Sequence, residues 1–379
     1  MIYGGLETSV TPSWFRFTNG SGGCYGNPVT LQAIVITEND LGQTLRLSEY
    51  RMLLAPMVIE TQTPERHVII GGCGFIGRHV AVLLARQGNT VVLADRASPT
   101  CTFPAAVARL VTWRRFDLAS ADWDALVADF DVIHFYAWTS LPATANANPG
   151  SDLSFNVGAL IALLEAMRRS GGKRLVFTSS GGTVYGHLQH VPVREDHPFA
   201  PITAYGAGKA TAELYLALYG AMHGLEYCTA RISNPYGAGQ DFSRGLGAVT
   251  TFLNKAIAQE TIVIWGDGEI IRDYIHIADV ANALVVLSQV SLPNNSRTFN
   301  IGSGEKITLN GIVAEIERHL GRAVTVQKEP PRSFDLPVNV LDISRAKEIL
   351  DWSPKLPFSD GIRICIRDVR ANAHLSTLY

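Results

Sequence analysis

HVIIGGCGFIGRHVAVLLAR, residues 67–86, runs almost directly into TVVLAD, residues 90–95, and these two stretches decide the fold. HVII is a short apolar run of strand type, and the spacing predicts a helix from about Phe75 to Arg86. Between them Gly71, Gly74 and Gly77 are each three apart. Glycine at those positions lets the backbone turn tightly and approach an anion, and the helix that follows aims its free N–H groups at that anion. TVVLA (90–94) reads as a second strand with Asp95 at its end, 18 positions after Gly77. A bare structural turn would need the glycines alone. The strand before, the helix after and the acid beyond together describe a loop that cradles the pyrophosphate of a dinucleotide.

Outward from this unit, strand and helix alternate. LVTW (110–113), DVIHFYA (131–137), KRLVFTSS (173–180) and EYCTARI (226–232) read as further strands, and 152–169 and 205–223 as helices. DVIHFYA is apolar nearly throughout, as a strand covered on both faces should be. The prediction is an α/β fold: a Rossmann-type doubly wound parallel sheet with a smaller C-terminal α/β substrate domain. The expected division is 64–233 for the dinucleotide domain, with 277–301 (helix 277–289 and strand TFNI, 298–301) returning to it. Residues 234–276 and 302–370 form the second domain, with helices near 246–259, 309–320 and 344–350. Residues 1–63 are rich in Gly, Ser and Thr and carry no readable motif. They read either as a poorly ordered extension or as a misassigned start, with Met57 as the true one.

Composition narrows the function. In 379 residues, 47% are hydrophobic and 17% charged, which suits a buried core. A formal net charge of -2 gives no basic footprint for nucleic acid. No apolar run is long enough to span a bilayer; the best, Met52 to Ile59, is broken by Pro56. No basic-then-apolar leader is present. The 5 cysteines have no metal-ligand spacing, so no metal is expected and reduced thiols in a cytoplasmic protein are.

Asp95 is placed to accept hydrogen bonds from an adenosine ribose, and its charge repels a 2′-phosphate, so NAD is expected rather than NADP. Arg96 pulls the other way. Asp117, in FDL, is either an adenine contact or a loop cap. Tyr205 and Lys209 are four apart on a predicted helix and share a face. A lysine ammonium beside a tyrosine stabilises the phenolate, and such a tyrosine can take a proton from a sugar hydroxyl.

GGCGFIG (71–77), VLAD (92–95), SSGGTVYG (179–186), YGAGK (205–209), RISNPYG (231–237), RDYIHIADVA (272–281), FNIGSG (299–304) and RAKEILDWSPK (345–355) occur in an order that resembles the extended short-chain dehydrogenase/reductases, specifically the NAD-dependent sugar epimerase/dehydratase family. The resemblance covers residues 66 to about 365. It implies NAD on the first domain, contacted also by Phe75, Ile76, Leu118 and Ala137, and a nucleoside diphosphate sugar on the second. Asn234, Arg272 and Arg332 are expected on the diphosphate, with surface ion pairs as the other reading of the arginines. Trp265 is expected on the base, or else in the core. Relatives pair as homodimers through two helices, which correspond to about 152–169 and 204–223.

The sequence departs from the family pattern at Gly181, where a Ser or Thr hydroxyl usually serves beside the catalytic tyrosine. Ser180 and Thr183 are the nearest hydroxyls, with Ser180 preferred. Ile70 replaces a usual Thr, and FYAW (135–138) replaces His-Leu-Ala-Ala, which puts Trp138 near the cofactor or sugar. The implied activity is a nucleotide-sugar 4-epimerase acting on a UDP-sugar, with Tyr205 as acid and base. A 4,6-dehydratase needs an Asp-Glu pair where Gly182 and Thr183 stand. A decarboxylase, a 4-keto reductase and a non-catalytic NAD(P)-binding redox sensor are the other readings.

Overall fold

The structure is a computed structural model and describes residues 63–241, 247–292, 296–332 and 336–370. The reading of residues 1–63, and of Met57 as a start, therefore falls almost wholly outside the described residues. Seven strands form the central sheet: β1 (Arg66–Ile70), β2 (Thr90–Asp95), β3 (Val111–Arg115), β4 (Val132–Phe135), β5 (Arg174–Ser180), β6 (Glu226–Ile232) and, much later in the chain, β11 (Thr298–Ile301). Their order is β3-β2-β1-β4-β5-β6-β11, and every pairing is parallel.

The alternation of side chains along β1 shows how the sheet is covered. Ile69 points to one face and packs with Leu84 of α1 (Phe75–Arg86) and Leu284 of α7 (Ile277–Gln289). Val68 and Ile70 point to the other and pack with Leu163 of α4 (Pro149–Ser170) and Leu216 of α5 (Ala204–His223). Both faces are dry, which is why these strands read as unbroken apolar runs. This is the Rossmann-type doubly wound sheet. Its strand order reverses between β1 and β4, and the crevice at the carboxyl ends of those strands is where such folds bind ligands.

Some element ends differ from the sequence reading. β4 stops at Phe135, because the N–H groups of both Tyr136 and Ala137 donate to the single carbonyl of Ile70 and the ladder cannot continue. α4 starts at Pro149, three residues before the expected Asp152, because the Asn148 side chain caps Ser151 N and proline suits the first turn. A short helix, α2 (Trp123–Ala128), capped by Asp122, was not anticipated. α3 (Pro142–Ala145) lies between β4 and α4.

The smaller lobe follows β7 (Asn234–Tyr236), which pairs in parallel with β10 (Tyr274–His276). It contains α6 (Ala248–Ala258), a parallel pair of β8 (Ile262–Trp265) with β13 (Val326–Glu329), and α8 (Leu309–Leu320). A three-stranded sheet places β9 (Ile271–Arg272) between β12 (Ile307–Thr308) and β14 (Val338–Asn339). α9 (Ser344–Leu350) packs back on the first sheet's core, where Ala346 and Leu350 join Phe299 and Ile301 of β11, and leads to α10 (Phe358–Arg370), which the sequence reading missed. Ile264, Ile312, Ile316 and Ile362 share this lobe's core.

Candidate active site

The glycine loop lies at the reversal point. Gly71 has φ +80°, and a Cβ there would stand 2.7 Å from Ala137 N. A Cβ on Gly77 would stand 2.7 Å from Gly72 Cα, so α1 can lie against the loop only with glycine there. Gly74 is exposed and opens α1; no side chain caps that end and no acid occupies its first turn. The leading N–H groups, those of Phe75 and Ile76, are of the kind that an uncapped helix start offers to an anion. Asp95 is held beside the loop: Cys73 N donates to Oδ2 at 3.1 Å and Arg96 N to Oδ1 at 2.8 Å. Asp117 accepts from Ala119 N at 3.0 Å, so the capping bond is present, whatever else that carboxylate meets. Leu118 is half-buried against the core, and Ala137 closes on Gly71. An uncapped helix end, an open glycine and a tethered acid fit a dinucleotide.

Tyr205 and Lys209 rise from the first turns of α5, whose N-cap Thr203 accepts from Gly206 N. Lys209 is buried; its Nζ donates to Thr178 O at 2.7 Å and sits 4.0 Å from the Trp138 ring centroid, 4.8 Å from that of Phe177 and 5.9 Å from that of Tyr205. Burial pushes Lys209 down to about 7, against the opposing pull of Glu213 and Asp152. The Tyr205 phenol is pushed up, first by burial and then by the Asp152 carboxylate. In the protein alone, burial and the Asp152 carboxylate hold the proton on Tyr205.

Gly181 has no room for a side chain. A Cβ there would stand 2.6 Å from Leu341 Cδ1 and 3.1 Å from Arg231 O. Ser180 ends β5 and is half-buried. Thr183 abuts the tyrosine's turn: its carbonyl would be 2.6 Å from a Cβ on Gly206, and its Oγ1 is buried with no hydrogen-bond partner among the described residues. Trp138 packs edge-on against Tyr205, ring centroids 6.1 Å apart.

Asp152, Ser140 and Leu341 were not singled out from sequence. Asp152 accepts from Ser140 Oγ and from Asn156 Nδ2. The signal was available: Asp152 and Asn156 occupy the stripe of α4 that continues through Leu160, Leu163 and Met167 into the core, and an acid on an apolar stripe needs a reason.

On the second lobe, Asn234 donates through Nδ2 to Asp273 O at 2.8 Å. Arg272 donates to Ile271 O at 2.9 Å and to Leu336 O at 2.7 Å. Trp265 is 39% exposed, which leaves a face for a base, and the Arg332 guanidinium lies 4.4 Å over its ring. The structure thus joins Trp265 with Arg332, and joins Asn234 with the strand segment carrying Arg272 through Asp273. Among the described residues no three His, Cys, Asp or Glu are placed to hold a metal ion, and no helix is long and apolar enough to cross a membrane.

Sheet, glycine loop and the Tyr205–Lys209 pair define a dinucleotide-dependent enzyme of the short-chain dehydrogenase/reductase type. Residues 67–302 match the NAD dependent epimerase/dehydratase family, and the chain belongs to it. It is 30% identical over 315 residues to a putative UDP-glucose 4-epimerase of Methanocaldococcus jannaschii, covering 80% of this chain and 98% of that one. It is 31% identical over 311 residues to a dTDP-4-dehydro-6-deoxyglucose reductase of Escherichia coli, covering 80% of this chain and 97% of that one. The crystal structure of Thermus thermophilus UDP-glucose 4-epimerase in complex with NAD superposes with a TM-score of 0.72 at 30% identity, covering 80% of this chain and 99% of that one.

Proposed function

We propose that the protein is an NAD-dependent nucleotide-sugar 4-epimerase acting on a UDP-sugar. The observation that carries this reading is the Tyr205–Lys209 pair at the carboxyl edge of the sheet, one loop away from Gly182 and Thr183, where a dehydratase needs two acids. Phe75 and Ile76 N–H hold the cofactor pyrophosphate, with Asp95 on the ribose and Asp117, Leu118 and Ala137 along the adenosine. When bound, NAD supplies a reversible hydride acceptor. Tyr205 takes the proton from the sugar 4-hydroxyl and returns it after the sugar has turned over. Lys209 stabilises the phenolate, and Thr183 Oγ1 supplies the hydroxyl lacking at Gly181, in preference to Ser180. Trp265 covers the base, while Asn234, Arg272 and Arg332 hold the diphosphate. Gripping the nucleotide leaves the hexose free to rotate, which inversion requires.

The dinucleotide lobe is 64–233 with 277–301, and the sugar lobe is 234–276 with 302–370 apart from α9, whose Ala346 and Leu350 pack in the dinucleotide lobe's core. Leu153 and Phe155 on α4 and Leu214, Leu218 and Met222 on α5 are exposed large apolar side chains, which supports a homodimer through these two helices. Cys73, Cys101, Cys228 and Cys365 are free thiols, which supports a cytoplasmic setting.

The test is incubation of the pure protein with UDP-glucose, UDP-N-acetylglucosamine and UDP-glucuronate, following the anomeric and H4 signals by NMR. Inversion at C4 without accumulation of NADH is expected. The 31% identity to a 4-keto sugar reductase and the missing hydroxyl at Gly181 favour a second reading as a reductase. Stoichiometric consumption of NADH or NADPH with a 4-keto sugar, and no inversion of the UDP-sugars, would establish it.

A further inference from the structure

Asp152 Oδ2 is buried and has no hydrogen-bond partner among the described residues. The other oxygen, Oδ1, is occupied by Ser140 Oγ and Asn156 Nδ2. Oδ2 turns toward α5 at Gly208, where a Cβ would stand 3.3 Å from it and 3.0 Å from Trp138 Cζ2. Glycine at 208 is thus what lets a carboxylate on α4 and an indole close on the turn carrying Tyr205 and Lys209.

The charges around this wedge are few. α5 presents Tyr205, Lys209 and Glu213, and the loop before α3 presents the uncharged Trp138, Thr139 and Ser140. Glu213 is already committed: Arg231 on β6 grips both of its oxygens at 2.9–3.1 Å and Ser179 donates to one. The hydrogen bond from Lys209 goes to a neutral carbonyl. Asp152 is only 6% exposed, and a carboxylate so placed without a cation is costly unless a nearby charge compensates it.

We infer that Asp152 is a positioning residue for the catalytic pair: wedged between α4 and α5 beside Gly208 and Trp138, it supplies, together with Glu213, the negative charge facing Lys209 and sets the pH range in which Tyr205 exchanges its proton. The inference rests on the epimerase reading only for its kinetic arm. The direction of the electrostatics agrees: against burial, Glu213 and then Asp152 raise Lys209, and among the described residues Asp152 is the one charge that raises Tyr205. Removing one negative charge lowers every neighbouring proton affinity, so both limbs of a bell-shaped profile must move the same way.

The experiment measures kcat/KM against pH for the holoenzyme with wild type, Asp152→Asn and Asp152→Glu. A second arm, without sugar, titrates tyrosinate absorbance near 295 nm as the difference from Tyr205→Phe in each background. Asp152→Asn should move both kinetic limbs, and the Tyr205 titration, about one pH unit toward acid. Asp152→Glu should keep the wild-type positions. If Asp152→Asn does not accumulate as folded protein, Asp152→Ser carries the same expectation. Limbs and titration that stay in place in the neutral variant, limbs that move in opposite directions, or a glutamate variant that shifts as far as the neutral one, would overturn the proposal. A wild type that inverts no UDP-sugar sinks the epimerase reading instead, and the sugar-free titration still decides the role of Asp152.

Discussion

Leu341 Cδ1 lies 2.6 Å from the point where a Cβ on Gly181 would stand. The departure at Gly181 is therefore not a simple deletion, because a residue from the second lobe has filled the space. Gly181→Ser alone should overpack the site and cost about 1–3 kcal/mol, without improving turnover. Leu341→Ala alone should cost about 2–5 kcal/mol as a core truncation. The double variant should be more stable than the sum of the two losses predicts. Urea denaturation of the four proteins checks this, and additive losses would show that the two side chains do not compete.

Tyr205 is the proton carrier in the proposed reaction. Tyr205→Phe should lower kcat by roughly 10²–10⁴-fold while nucleotide-sugar affinity, measured by calorimetry, stays within a few-fold. A variant that keeps wild-type kcat would move the acid–base role elsewhere, with Thr183 the next residue to substitute.

Cofactor choice turns on the strand-two end. Asp95 is tied to the loop through Cys73 N, and in the proposed binding mode its charge meets the adenosine ribose. Asp95→Ala should weaken NAD binding and narrow the preference over NADP. Calorimetry that finds wild type binding NADP more tightly than NAD would show that Arg96 governs this corner.

Arg332 stacks on Trp265 in the free protein. Arg332→Ala should raise KM for the UDP-sugar roughly ten- to a hundred-fold, the loss of one charge-assisted contact of about 1.5–3 kcal/mol, with NAD affinity unchanged. It should also alter Trp265 fluorescence in the absence of ligand. An unchanged KM with altered fluorescence would confine the arginine to packing on the indole.

Acid should destabilise the fold through its buried histidines. His67 is held near 4 and His276 near 4, both chiefly by burial, and His79 lower still at about 3. His134, bonded to His67 at 3.0 Å and to Tyr136 Oη at 2.7 Å, is likewise kept neutral. Their folded values lie below the ordinary one of about 6.5, so the unfolded chain takes up protons that the folded chain refuses. The stability they contribute is complete above pH 6.5 and is lost as pH falls from there toward 4. Asp279, raised to about 6 by burial, works in the opposite sense, as do Asp273, Asp368 and Glu65, whose carboxyls burial also raises; the four histidines should outweigh them. The melting temperature should fall steadily over that window, and His67→Val should flatten the fall. An equally steep fall in that variant would locate the effect elsewhere.

The elements legible in the sequence are those whose signal is local. The glycine loop, Asp95 and the Tyr205–Lys209 spacing each sit within one strand–turn–helix unit. Relations between distant segments were not legible. Nothing near Gly181 points to Leu341, and nothing near Trp265 says that Arg332 stacks on it. α10 was missed because FSDGIRICIRDVR carries glycine and three isoleucines, residues of modest helix propensity. Its helix is held by tertiary burial of Phe358, Ile362 and Ile366 instead. Even its glycine is tertiary in origin, since a Cβ on Gly361 would stand 1.9 Å from Tyr236 Oη. Asp152 reads in sequence only as the start of a helix, although its hydrogen-bond partners are Ser140, in the loop before α3, and Asn156, one turn further along α4.

The return of Thr298–Ile301 to the far edge of the first sheet has a consequence for biogenesis. On the ribosome, β6 emerges with one row of backbone donors and acceptors unpaired, and they stay so while the whole segment from Asn234 through α7 is synthesised. Asn300, which anchors Val193 and Asp342 through its amide and receives Tyr185 Oη at 2.6 Å, is missing throughout that interval. The larger lobe cannot finish folding as a nascent domain in its own right. A chain that stalls or is cleaved before Ile301 presents a bare parallel edge, so chaperone demand and aggregation should concentrate at that stage of synthesis.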